Sequence, residues 1–330
     1  MREMTKIVAR LREGDHVASL KVMAFVGIVG LVPGLCGLAH AQEIEIPAGG
    51  LMFVNDPAIA IQSLEVAVGP ERIRMAYTLR NTLNVPRAIV VAFPLPDLDA
   101  AAIGEERVAV PAAQSDNYVA ATFTANDVPV AAELQQRALV LGLDATSVLV
   151  ETQLPLVPVR KGVRERLAKL APIVKSDLQQ RGIARLDGDR IDPNWTLKTT
   201  AYWLQPFEAN EVITIKLAYQ PIVAQIPLTQ AFLAPLRDDY CLSGQDGATV
   251  AGRAAVAGAK ARVTTLGYLA SSTGTLPNAI ANFRLHIEKP EMETVVATCW
   301  RDLKQPGPTV LEWTATDYYP DQDLRIAFIR

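Results

Sequence analysis

The stretch Ile73-Arg74-Met75-Ala76-Tyr77-Thr78-Leu79-Arg80 alternates apolar and polar residues without a break. A period of two is the mark of a strand with one face buried and the other in water. No helix can gather that set onto one side, because its side chains repeat every 3.6 residues. Just upstream, Ile61, Leu64, Val66 and Val68 run into Gly69-Pro70, a turn signal. The pair reads as half-buried antiparallel strands, and a chain with this opening has to find a second layer to cover the apolar side.

Ala88 to Phe93 is apolar on both faces and is expected to be a central strand. It ends in Phe93-Pro94-Leu95-Pro96, where two prolines cannot donate ladder hydrogen bonds, so pairing is expected to fail and the chain to leave the sheet. A polyproline recognition motif would need a longer exposed tract. Val119 to Thr124 and Val128 to Ala132 flank Ala125-Asn126-Asp127 and read as a hairpin. Beyond Gly142 the pattern becomes helical. Asp144 can cap a short helix through Glu151, and Gly162 to Arg181 carries Val163, Leu167, Leu170, Val174 and Leu178 near helical spacing, broken in two by Pro172.

Strands return after Trp195, at Thr196 to Leu204 and Val212 to Tyr219. Val263 to Leu269, Phe283 to Ile287, Val295 to Cys299, Val310 to Trp313 and Leu324 to Ile329 continue the series, and Ala248 to Ala261, rich in Ala and Gly, reads as a loop. The expected fold is mainly β, with two antiparallel β-sandwich-like layers or domains and a helical insert between them. The divisions fall at 1–41, a leader; 42–142, a first β region; 143–189, the insert; and 190–330, a second β region.

The leader reading rests on Arg2, Lys6, Arg10, Arg12 and Lys21 ahead of the apolar run Val22 to Leu38. Ala39-His40-Ala41 then places small residues, Ala39 and Ala41, where a signal peptidase reads them, and cleavage is expected after Ala41. The rival, a membrane anchor, wants about 20 unbroken apolar residues, whereas this run contains Pro33-Gly34. Removing 1–41 takes five of 32 basic and three of 35 acidic residues, leaving 27 against 32 and a net charge of −5. Such a surface has no affinity for nucleic acid or anionic lipid, and the mature chain should not span a membrane. Two cysteines remain, Cys241 and Cys299, which in an oxidising compartment read first as a disulfide and second as two buried thiols. The chain is therefore expected in the periplasm or secreted.

Reactive groups are sparse. His286 is the one histidine of the mature chain and shares the expected solvent face of its strand with Arg284 and Glu288. Ser243 in Cys-Leu-Ser-Gly lacks the Gly-x-Ser-x-Gly spacing of a nucleophile elbow and reads as a turn. Phosphate-binding glycine loops, dinucleotide fingerprints and Cys-x-x-Cys pairs are missing, so no cofactor is expected. Asp317, Asp321 and Asp323 offer three carboxylates within seven residues as candidate calcium ligands, without the glycine and closing glutamate of an EF-hand. Asp97 and Asp99 form a further carboxylate pair, although alternate residues of one segment point apart. Trp195, Trp203, Trp300 and Trp313 suit a core better than a sugar platform.

The segments AGGLMFVNDPAIAIQSLEVAVGPERIRMAYTLRN, VVAFPLPDLD, WTLKTTAYWLQPF, Tyr240-Cys241 and DYYPDQDLRI together resemble the bacterial domain of unknown function 4424. The likeness spans nearly all of the mature chain, and it implies an exported protein without implying an activity. The order of FPLP, a later hairpin, Gly142-Leu143-Asp144 at a helix start and a strand ending in Tyr219-Gln220-Pro221 is also similar to the vault and inter-alpha-trypsin-inhibitor N-terminal domain. That family implies a β-sandwich used in extracellular assembly. The function expected is a non-catalytic binding or scaffolding module that holds an unknown envelope component. The alternatives are a hydrolase using Asp97, Asp317, Asp321 or Asp323, since glycoside chemistry needs two carboxyl groups and no histidine, and a calcium-stabilised adhesion module.

Overall fold

The computed structural model describes residues 48–53, 56–105, 108–256, 260–269, 279–320 and 322–330. The leader, with Ala39 and Ala41, lies outside the described residues, as does Asp321. The alternating opening folds as expected: strands Ile59–Val68 and Ile73–Asn81 pair antiparallel and turn at Gly69, whose N–H donates to the Arg72 carbonyl at 3.0 Å. They lie at the centre of an eight-stranded sheet. On one side follow Val212–Tyr219 and the hairpin Thr122–Ala125/Val128–Pro129; on the other lie Ile280–Glu288, Val310–Tyr318 and Lys304–Gly307. Asn126 and Asp127 both take positive φ (48° and 64°), the geometry a two-residue hairpin turn demands and these two residue types tolerate best.

Two six-stranded sheets oppose the large one. The middle sheet is built on Thr196–Phe207, flanked by Arg87–Pro94 and Glu133–Val140. The C-terminal sheet is built on Arg262–Leu269 and Leu324–Ile329, with Val223–Pro227 and Val295–Ala297 beside them. Rings meet across the first interface: Phe93 of the middle sheet stands 5.0 Å from Tyr219, and Trp203 stands 5.1 Å from Phe123. Leu266, Tyr268, Ile326 and Phe328 join the same core from the C-terminal sheet. A mainly β, sandwich-like architecture is thus the observed one. Two pairings are parallel rather than antiparallel: Ile280–Glu288 against Ile59–Val68, and Ala48–Gly49 against Arg262–Leu269.

Helices Thr146–Glu151, Val163–Lys169 and Pro172–Gln180 form the insert, with Pro172 opening the third helix after the expected break. Their buried residues Leu149, Leu167 and Leu178 pack with Trp195 and with Ala138 and Val140 of Glu133–Val140. The buried Asp192 carboxylate accepts from Arg164 (2.7 Å) and Arg190 (2.8 Å), tying Val163–Lys169 to the hairpin that follows the insert.

Four expectations need correction. The loop expected over Ala248 to Ala261 is helical through Ala255, because Gly244–Ala255 is a helix whose alanines favour that state and whose Val250 is buried. Pairing does not end at Pro94: the Leu95 N–H donates to the Thr199 carbonyl at 2.8 Å, and Leu98–Asp99 rejoins the same partner strand at Leu197 and Thr196. The prolines therefore make an irregularity inside a ladder that the twelve-residue Thr196–Phe207 bridges. Strand Glu133–Val140 is an addition, since its Glu-Leu-Gln-Gln-Arg start shows no apolar face. Arg87–Pro94 has neighbours on both edges but only one buried face, with Val90 open to water.

Candidate functional site

Each sheet has an outward face, and the three faces differ. On the C-terminal sheet, Val263, Val295, Ala297, Ala327 and Ile329 point outward and are covered by helices Leu233–Tyr240 and Gly244–Ala255 through Leu236, Tyr240 and Val250. The cover is pinned covalently. Cys241, in the left-handed conformation (φ 56°) at the end of the first of these helices, is bonded to Cys299 just past the Val295–Ala297 strand, with Cα atoms 5.0 Å apart. The expected disulfide is present.

Among the described residues, the outward face of the middle sheet has no such cover. Leu204 lies directly opposite Val90, and Tyr202 and Met52 both stand next to Ala92 in the adjoining row. Leu204 is 65% exposed, Val90 41% and Met52 36%. Tyr202 donates its hydroxyl to Glu133 at 2.6 Å across the next strand, which raises its pKa above the ordinary phenol value through that hydrogen bond first and the carboxylate charge second. An antiparallel face left to water is ordinarily polar; this one is so where Glu133, Gln135, Arg137 and Lys198 stand, and apolar at the end that holds Leu204, Val90 and Met52.

The large sheet has the polar outward face that rule expects. Arg74 pairs with Glu288, Lys216 with Asp127, and His286 with Glu312 at 3.0 Å directly across the strand pair. Between these pairs lies a depression of about 350 Å³ lined by Ser63, Glu65, Asn282, Arg284, Thr314 and Thr316. A β-bulge makes room for it: the register of Ile59–Val68 on Ile73–Asn81 shifts between Ile61 and Ser63, setting Gln62 and Ser63 together opposite Thr78. The Gln62 carbonyl then accepts from Asn282 Nδ2 at 3.1 Å. Arg284 and Glu65 approach only to 3.8 Å, too far for a hydrogen bond, so both retain donors and acceptors for another molecule.

The sequence-derived candidates are distributed over separate places. Asp97 sits in the Phe93-Pro94-Leu95-Pro96 irregularity and pairs with Lys198, while Asp99 accepts from the backbone N–H groups of Ala101 (2.9 Å) and Ala102 (3.1 Å) at the start of helix Ala100–Glu105. Asp317 is exposed near the end of Val310–Tyr318 with φ 50°, and Asp323 immediately precedes Leu324–Ile329. With Asp321 outside the described residues, no group of three His, Cys, Asp or Glu able to hold a metal occurs among the described ones. His286 lies on the solvent face, half-buried beside Glu312. Ser243 precedes helix Gly244–Ala255 as its N-cap. Trp195, Trp203 and Trp300 are buried, and Trp313 packs edge-on to Trp300 at 5.3 Å.

Inside the sandwich, tyrosine hydroxyls do structural duty. The Leu51 N–H donates to Tyr77 Oη at 3.0 Å, and Tyr219 donates to the Gly49 carbonyl at 3.1 Å, so the buried start of the described chain has its polar groups satisfied in the core. Burial drives the pKa values of Tyr77, Tyr219 and Tyr268 well above the ordinary phenol value. These groups are locked rather than reactive.

The fold and its surfaces define a β-sandwich protein with one capped and two open outward faces. The chain belongs to the family described as domain of unknown function (DUF4424), whose model matches residues 39–327. No curated protein matches it. Among solved structures it is similar to a "putative nutrient binding protein" from Legionella pneumophila, at 13% identity and a TM-score of 0.45, over 86% of this chain and 70% of that one. A further likeness is to the M1 zinc metallopeptidase from Deinococcus radiodurans, at 9% identity and a TM-score of 0.21, over 83% of this chain and 43% of that one. Neither likeness is strong enough to carry an argument about function. No helix among the described residues is long and apolar enough to cross a membrane.

Proposed function

We propose that this chain is exported behind a cleaved leader and works in the periplasm or outside the cell as a non-catalytic binding or scaffolding module, holding another component of the envelope. One observation carries the reading: the bare row of Leu204, Val90 and Met52 on the middle sheet. A contiguous apolar patch on a face that should be polar is the ordinary mark of an interaction surface. The Cys241–Cys299 bridge supports an oxidising compartment. Pairing of Asp97 with Lys198, on a different sheet from Asp317, favours binding over a hydrolase that needs two carboxylates facing one substrate bond.

The test is site-specific photo-crosslinking in living cells, with the reactive group at position 204 or, as a control, at position 74 on the polar face. A defined adduct from 204, absent from 74 and abolished by Val90→Lys, supports the reading. It fails if the two positions give the same adducts. It also fails if purified protein turns over an ester, glycoside or phosphate substrate and a folded Asp97→Asn or Asp317→Asn variant loses that turnover.

A further inference from the structure

We propose that the depression on the large sheet, together with the row of side chains that continues from it across the next two strands, is a binding site for a linear, neutral, β-linked glycan laid across the strands. This inference rests on the reading of the chain as an exported binding module and assigns a ligand class to a face that the apolar patch does not involve. Register sets the argument. Thr316 is paired with Asn282, Asn282 with Ser63, Ser63 with Thr78, and Thr78 with Thr214, so five outward side chains form one rung across five neighbouring strands. Every member of the rung is a hydroxyl or an amide. Strands lie about 4.8 Å apart, so the rung spans roughly 19 Å and presents one neutral hydrogen-bonding group per strand. A β-1,4-linked pyranose advances by a similar length, which allows successive sugars to meet successive strands.

The unused bonding capacity is what makes the rung a site. The hydroxyls of Ser63, Thr78, Thr214 and Thr316 make no hydrogen bond within the described residues, and Asn282 uses its amide N–H on Gln62 while its Oδ1 stays open. Each hydroxyl both donates and accepts, as a sugar hydroxyl does. The neighbouring row sets Arg284 and Glu65 side by side, also paired across the strands, so this pair carries no net charge and offers one fork of donors and one of acceptors to vicinal hydroxyls. The bulge sets Gln62 and Ser63 together opposite Thr78, and the depression lies over the Thr316, Asn282 and Ser63 end of the rung. The charged side chains here are half exposed, so a small zwitterion would gain little from them; useful affinity has to come from many weak contacts repeated along a polymer.

The experiment is amide chemical-shift mapping on protein purified after export of the full chain, titrated with chitohexaose and cellohexaose, with chitobiose, maltohexaose and free glutamate as comparisons. Shifts confined to residues 62–65, 76–78, 214–216, 282–284 and 314–316, with the hexamers binding at least about tenfold more tightly than the dimer, are the expected result. Thr78→Val and Thr214→Val keep strand-favouring shapes, and each should weaken hexamer binding roughly fivefold, as should Asn282→Thr, with no change in melting temperature. No shift with either β-linked hexamer overturns the proposal. So does equal binding of dimer and hexamer, equal binding of maltohexaose, or a response to glutamate at the same residues. Failure here, with the adduct from position 204 retained, removes the glycan site and leaves the module reading intact; loss of that adduct with the rung shifts present does the reverse.

Discussion

The two six-stranded sheets face the same core, yet their outward sides differ. Both carry apolar residues outward: Val263, Ala327 and Ile329 on the C-terminal sheet, and Val90, Leu204 and Met52 on the middle one. The first set lies under two helices and a disulfide of its own chain, and the second has no such cover among the described residues. The large sheet is the control, because its open side carries ion pairs, hydroxyls and amides rather than an apolar patch. An apolar outward face is thus covered on one sheet and, among the described residues, bare on the other, and the proposed binding role would give the bare one its cover.

Alkaline pH tests whether the two sheets share one sealed core, and it should have the largest effect. Tyr77, Tyr219 and Tyr268 titrate well above the ordinary phenol value when folded, mainly through burial, while unfolded phenols ionise near pH 10. The unfolded state then loses protons first, so stability is untouched below about pH 10 and falls above it, by about 1.4 kcal/mol per tyrosine per pH unit. The phenolate absorbance that these three contribute, taken as the difference from their Phe variants, should rise in step with loss of the β circular-dichroism signal. Phenolate at these three in a still-folded protein would mean that the core is open.

Cutting the pin of the covered side comes next. Cys241→Ser with Cys299→Ser opens a 58-residue loop and should cost about 4 kcal/mol in urea unfolding. Hydrogen-exchange protection should fall first in 244–255 and 295–297, with Arg87–Pro94 unaffected. Equal loss on both sheets would break the distinction between them. A matched pair of leucines then sharpens it: Leu236→Ala, on the inner side of the cap, should cost about 3 kcal/mol, and Leu204→Ala, on the bare side, less than about 0.5. Smallest of all, Arg74→Gln on the polar face should change stability by less than about 1 kcal/mol, since exposed ion pairs contribute little.

Much of the fold is legible in sequence because alternation reports burial directly. Ile73–Asn81 and Val212–Tyr219 are readable for that reason, and Pro172 and Asn126-Asp127 act through backbone restrictions that need no tertiary context. Glu133–Val140 escapes because half of it faces water at both sides, and its strand state comes from hydrogen bonds to Thr196–Phe207. Gly244–Ala255 escapes because Gly244, Gly247 and Gly252 punctuate a helix whose burial rests on few residues. Neither open face could be read in advance. Val90 looks like core until the missing neighbour is known, and the rung from Thr316 to Thr214 draws its members from five strands whose register no local pattern contains.

The parallel seam between Ile59–Val68 and Ile280–Glu288 has a consequence in time. A ribosome has to make nearly nine-tenths of the polypeptide before the first long strand meets its second neighbour, and until then that strand offers a hydrophobic, unprotected border to any passing chain. A nascent molecule of this build keeps that border unpaired until residues 280–288 have been made, and the large sheet closes only then.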